Sequence, residues 1–111
     1  MGFKTAIELS NEQIVNLFIT ACEGGSNYWC KKLTPYKDKG DAYESMLEGF
    51  SLIDGESGKT HRVIPKDIKE AVTLMATKYP NHFADLINEN DDSVTGDVFL
   101  QLCVFKDIIY G

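Results

Sequence analysis

Residues 21–30, Ala21-Cys22-Glu23-Gly24-Gly25-Ser26-Asn27-Tyr28-Trp29-Cys30, constrain the fold more than any other stretch of the chain. An apolar helical pattern runs into two adjacent glycines and then into the only tryptophan. A glycine pair reaches backbone angles that a Cβ makes costly and lets another segment approach closely, so the aromatic pair beyond it is aimed by the backbone. Gly24 or Gly25 is expected to end the helix as its C′ residue. Tyr28 and Trp29, as neighbours, point in different directions. The economical arrangement buries the indole near Phe18 and the C-terminal helix and leaves the phenol at a rim.

Upstream, Phe3, Ile7 and Leu9 alternate in part, which suits a short edge strand or an extended lead-in. Ser10 and Gln13 form a capping-box pattern, with Leu9 and Ile14 in the staple positions around it. Ile14, Leu17, Phe18, Ala21 and Cys22 then share one helical face. Residues 31–40 hold Lys31, Lys32, Lys37 and Lys39 and read as a solvated connector with one irregular strand. The segment 41–49 suits either a short helix or the start of a strand. Next comes a hairpin: Phe50, Leu52 and Ile53 lead into Asp54-Gly55 and Ser57-Gly58, and Thr60, Arg62 and Ile64 alternate beyond the turn.

Pro65 suits the first position of a helix, because its missing N–H costs nothing there. Ile68, Ala71, Val72, Met75 and Tyr79 mark one face, and Pro80 closes the pattern. Phe83, Leu86 and Ile87 are enough for a turn or two of helix. Thr95 is read as the cap of the last helix, with Asp97 in its first turn, where an anion is favoured. Val98, Phe99, Leu102, Cys103, Phe105 and Ile109 then form a wide apolar band. The fold expected is α+β in one domain of 111 residues. Three main helices, 10–22, 65–79 and 95–110, pack on a small antiparallel sheet centred on 50–64, with a third strand from the N-terminus or the lysine-rich segment. The surplus apolar circumference of the last helix leads to an expected homodimer.

The net charge of -6 and a single arginine, Arg62, argue against direct nucleic-acid binding, which draws its affinity from cations that neutralise phosphates. Negative charge suits docking on a basic protein surface. Cys22, Cys30 and Cys103 make an odd count without a disulfide framework, and nothing at the start reads as a signal peptide, so a reducing intracellular setting is expected. No apolar run approaches the roughly 20 residues that span a bilayer.

His61 and His82 lie in different expected elements, and Cys22 and Cys30 are spaced too widely for a zinc knuckle, so neither a metal nor another cofactor is expected. The acidic run before Thr95 lacks the ligand spacing of a calcium loop. Gly58-Lys59-Thr60 ends like a phosphate loop but lacks its first glycine and lies between two strands. Cys30, His61 and Asp54 supply the types of a nucleophilic triad without a spacing that demands one, so no catalytic residue is assigned.

Two binding readings remain. In the first, acidic residues Glu44, Glu48, Asp91, Asp92 and Asp97, with Tyr28 as a rim anchor, dock on a basic partner protein. In the second, Tyr28 or Trp29 stacks on the base of a nucleotide-like signal while Lys31, Lys32 and Arg62 hold its phosphate. Net acidity favours the first.

Glu23-Gly24-Gly25-Ser26-Asn27-Tyr28-Trp29, together with the distant segment from Thr95-Gly96-Asp97-Val98-Phe99-Leu100-Gln101 to Ile109-Tyr110-Gly111, resembles a group of small proteins carried by bacteriophages and prophages. The likeness covers about a third of the chain. In that group a glycine commonly follows the phenylalanine of the second motif, where this chain has Lys106. The resemblance implies a phage accessory protein in the host bacterial cytoplasm, one that disarms a host defence such as a CRISPR complex. It brings no catalytic residues with it.

Overall fold

The structure, a computed structural model, describes residues 8–88 and 92–111. The first helix, α1 (Asn11–Thr20), starts as its sequence dictates: Ser10 Oγ accepts from Gln13 N at 3.1 Å while Gln13 Oε1 accepts from Ser10 N at 2.8 Å. It does not end on a left-handed glycine. A π-helical turn, Ala21–Gly25, carries the chain onward, with Ser26 N donating to Ala21 O at 2.9 Å, and Gly24 is extended at φ 173°. The reason for glycine lies in close approach. A Cβ on Gly25 would strike the carbonyl of Ser93.

Strand β1 (Cys30–Pro35) then forms from the lysine-rich segment, irregular in that its register shifts between Cys30 and Lys32. A short helix α2 (Ala42–Ser45), capped by the Asp41 carboxylate on Tyr43 N and Glu44 N, runs into a 3₁₀ turn, Met46–Glu48. Strands β2 (Phe50–Asp54) and β3 (Thr60–Val63) form the expected hairpin, and the antiparallel order is β1-β2-β3. Alternation sends Phe50, Leu52 and Asp54 inward and leaves Ser51 and Ile53 half-buried.

Helix α3 (Pro65–Lys78) starts on its proline, and Asp67 accepts from Ile64 N at 2.9 Å. Pro80 both ends that pattern and opens α4 (Pro80–Ile87). The last helix, α5 (Ser93–Phe105), departs from expectation at both ends. Its cap is Asp92, whose carboxylate accepts from Val94 N and Thr95 N, so Thr95 sits buried inside the first turn. It stops at Lys106, which is left-handed at φ 64°, and residues beyond fold back instead of continuing as helix.

Helix α5 is the axis of the core, buried without a break from Thr95 to Cys103. Around it stand Leu17 and Phe18 of α1, Ala71 and Met75 of α3, and Phe50, Leu52 and Val63 of the sheet. Phe18 lies 5.6 Å from Phe50 and 5.7 Å from Phe99 between ring centroids. A Cβ on Gly96 would run into Thr20 Oγ1 and the backbone of Ala21, so that glycine lets α1 and α5 close on each other. Of the apolar band that motivated an expected homodimer, Val98, Phe99, Leu102 and Cys103 are buried within the chain, Phe105 and Tyr110 are half-buried and Ile109 is exposed. Among the described residues no helix is long and apolar enough to cross a membrane.

Candidate functional site

The π-helical turn and α5 together build a buried polar cluster on Asp97. Because Gly25 lets the turn press against Ser93, the next residues fall beside the first turns of α5. Asp97 Oδ1 accepts from Ser26 Oγ at 2.7 Å and from Trp29 Nε1 at 2.7 Å. Its Oδ2 accepts from the Tyr28 hydroxyl at 2.6 Å and from Gln101 Nε2 at 3.1 Å. All four donors are neutral, and no lysine or arginine pairs with Asp97 among the described residues. Asp97 is only 8% exposed. A buried charge is tolerated where donors replace its lost water, which these four do.

Gln101, one turn further along α5, ties the tail to the same cluster. Its Oε1 accepts from Ile109 N at 2.9 Å and Tyr110 N at 3.0 Å, and its Nε2 also reaches Tyr110 O at 3.2 Å. Tyr110 in turn donates to Asp54 Oδ2 at 2.6 Å, while Asp54 Oδ1 accepts from Glu56 N across the hairpin turn. Burial pushes Asp54 upward, but these hydrogen bonds outweigh it and hold its carboxyl below the usual range. The Tyr28 phenol is pushed up to about 12 by desolvation and by its hydrogen bond to Asp97. Tyr110 is also raised to about 12, first by its bond to Asp54. The two motifs singled out at opposite ends of the sequence thus meet in one network.

Trp29 is 1% exposed and packs 5.3 Å from Phe105 and 5.8 Å from Tyr110, whereas Phe18 stacks elsewhere in the core. Its neighbour Tyr28 is 50% exposed. Asp97, read from sequence as an acidic surface contact, is drawn inside. Asp92 is exposed but caps α5, and Asp91 lies outside the described residues. Glu44 and Glu48 are exposed and share a groove of about 810 Å³ with Glu12, Lys39, Val15 and Leu47. Lys39 Nζ lies 3.7 Å from Glu48 Oε1, both largely exposed, so this ion pair is weak.

The residues of the nucleotide reading are not brought together. Lys31 and Lys32 border a 280 Å³ groove with Cys22, Cys30 and Tyr43. Arg62 lies on β3, with its guanidinium 5.6 Å above the Tyr36 ring. Burial raises the thiols of Cys22 and Cys30 to about 11 and that of Cys103 further, which suits packing more than nucleophilic reactivity. Among the described residues no three His, Cys, Asp or Glu side chains converge as a metal site.

A second cavity, of about 410 Å³, opens beside the Asp97 cluster and is lined by Tyr28, Asp97, Tyr110, His82, Val94 and Val98, among others. Sequence reasoning missed Gln101, Ser26 and His82 as members of this region. The spacing of Asp97 and Gln101, four apart in an otherwise apolar helix, was the available signal, since such residues share a face. Compared with protein-family models, with curated proteins and with solved structures, the chain finds no significant match.

Proposed function

We propose that this chain is a non-enzymatic phage accessory protein that binds and inhibits a basic host protein in the bacterial cytoplasm, a component of a defence system such as a CRISPR complex. The observation that carries this reading is the groove between α1 and the α2 segment. Glu12, Glu44 and Glu48 stand around it in solvent, and Val15 and Leu47 give it an apolar part. Carboxylates on the rim steer a cationic partner, and the apolar part supplies area that is removed from water on docking. The motif resemblance supplies the biological setting. The nucleotide reading has less support, because Trp29 is enclosed by Phe105 and Tyr110 and Arg62 lies on the far strand of the sheet.

The test is capture from bacterial lysate by the immobilised protein, with small molecules released by denaturation analysed in parallel. The expected result is a stoichiometric protein partner that elutes with salt and is lost from the Glu44→Lys/Glu48→Lys variant. A stoichiometric nucleotide without a specific protein partner overturns the proposal, as does a partner whose retention ignores both salt and charge reversal.

A further inference from the structure

The 410 Å³ cavity beside Asp97 has the composition of a site for an organic cation. Tyr28, His82, Val94, Val98 and Asp97 are among the residues that line it, whereas the Tyr110 ring turns to Trp29 and Phe105 with its hydroxyl on Asp54. That carboxylate is satisfied in hydrogen bonds by neutral donors, yet its charge meets no lysine or arginine among the described residues. Hydrogen bonds from neutral groups stabilise a buried charge without cancelling its field, so a cation entering the cavity gains from that field at low local dielectric. The Tyr28 hydroxyl donates its hydrogen to Asp97 and accepts from Gln101 Nε2 at 3.2 Å, which leaves one lone pair of a polarised oxygen without a protein donor. An aromatic ring beside a carboxylate and apolar surface is a combination that favours ammonium and guanidinium groups on apolar stems.

We infer that this cavity takes an arginine or lysine side chain of the partner protein, its stem against Val94 and Val98 and its head toward Tyr28 and Asp97. Val94 is 56% exposed and Tyr28 50% exposed, so both are accessible from solvent. The inference rests on the proposed docking to a basic protein for the identity of its occupant, but the site itself is testable without any partner.

The probes are N-acetyl-arginine amide, N-acetyl-lysine amide and, as a neutral match of the first, N-acetyl-citrulline amide. Titration is followed by amide and indole resonances. Trp29 supplies the reporter, since its Nε1–H is bonded to Asp97. The expected result is a saturable shift of the Trp29 indole and the Val94 amide with the arginine or lysine probe and at least tenfold weaker binding of citrulline. Val94→Trp, which fills the mouth from an exposed position, is expected to abolish the shift. Tyr28→Ala is expected to weaken it roughly tenfold. Equal binding of citrulline, or shifts that survive Val94→Trp, overturn the inference. Shifts confined to Glu44 and Glu48 also overturn it and leave the groove reading standing. If lysate capture fails while the probes bind in the cavity, the protein partner is wrong and the cation site stands.

Discussion

Asp97 and Glu44 are both acidic residues close to the start of a helix, and the fold treats them in opposite ways. Helix α5 is buried from Thr95 to Cys103, so Asp97 is carried inside and met by Ser26, Tyr28, Trp29 and Gln101. Helix α2 spans four residues at the surface and leaves Glu44 beside Glu12 and Glu48, in water. The difference teaches that a carboxylate's role follows from what encloses its helix. Glu44 stands in the first turn of α2, and Asp97, expected in the first turn of a helix capped by Thr95, stands in the second turn because the cap is Asp92.

The largest expected effect breaks that contrast at its centre. Asp97→Ala leaves the buried indole N–H and Ser26 hydroxyl without their acceptor and removes that of the Tyr28 hydroxyl, and is expected to cost about 4 kcal/mol in urea unfolding. Glu44→Ala is expected to stay within about 0.5 kcal/mol of the parent, since no buried group depends on it. Equal costs for the two would erase the distinction.

A smaller effect sharpens the reason Asp97 can be enclosed at all. Gly96→Ala forces the new methyl against Thr20 and Ala21, and about 2 kcal/mol of destabilisation is expected from the overpacked contact. A crystal structure of that variant should show α1 displaced from α5. Unchanged stability together with an unmoved α1 would mean that the close approach is not what holds the two helices in register.

The smallest effect lies where α5 ends. Lys106 has a left-handed backbone, and its ammonium lies 2.6 Å from Asp67 and 3.1 Å from Glu70. Replacement by alanine removes the pairs and keeps the strained angle, whereas glycine removes the pairs and relieves it. Lys106→Gly is therefore expected to be about 1 kcal/mol more stable than Lys106→Ala, read from paired thermal melts. Two indistinguishable melts would show that the angle stores nothing.

Much of the architecture was legible. The Ser10–Gln13 cap, the hairpin around Asp54-Gly55, and Pro65 as a helix start all carry local chemistry that tertiary packing did not override. The end of α5 was not legible, because Ile108, Ile109 and Tyr110 continue the apolar pattern while the chain turns at a lysine. Nor was its start, since Asp92 and Thr95 are both good caps and packing chose the earlier one. Of the candidate site, Tyr28 at a rim followed from its place beside Trp29, and the bend at the glycines was foreseen with the wrong geometry. Glu12 joins Glu44 and Glu48 only through the placing of α1 beside α2, a long-range arrangement without a local signature.

The Asp97 network joins residues 26–29 to residues 97–101, across about 70 positions of chain. During vectorial synthesis the acceptor for Trp29 and the partner of Phe18 on α5 therefore emerge well after α1 and the sheet. Until then α1 and the sheet lack the core partners that α5 supplies. Contacts of that separation require loop closure before they stabilise anything, which ties the order of α1 and the sheet to the arrival of α5.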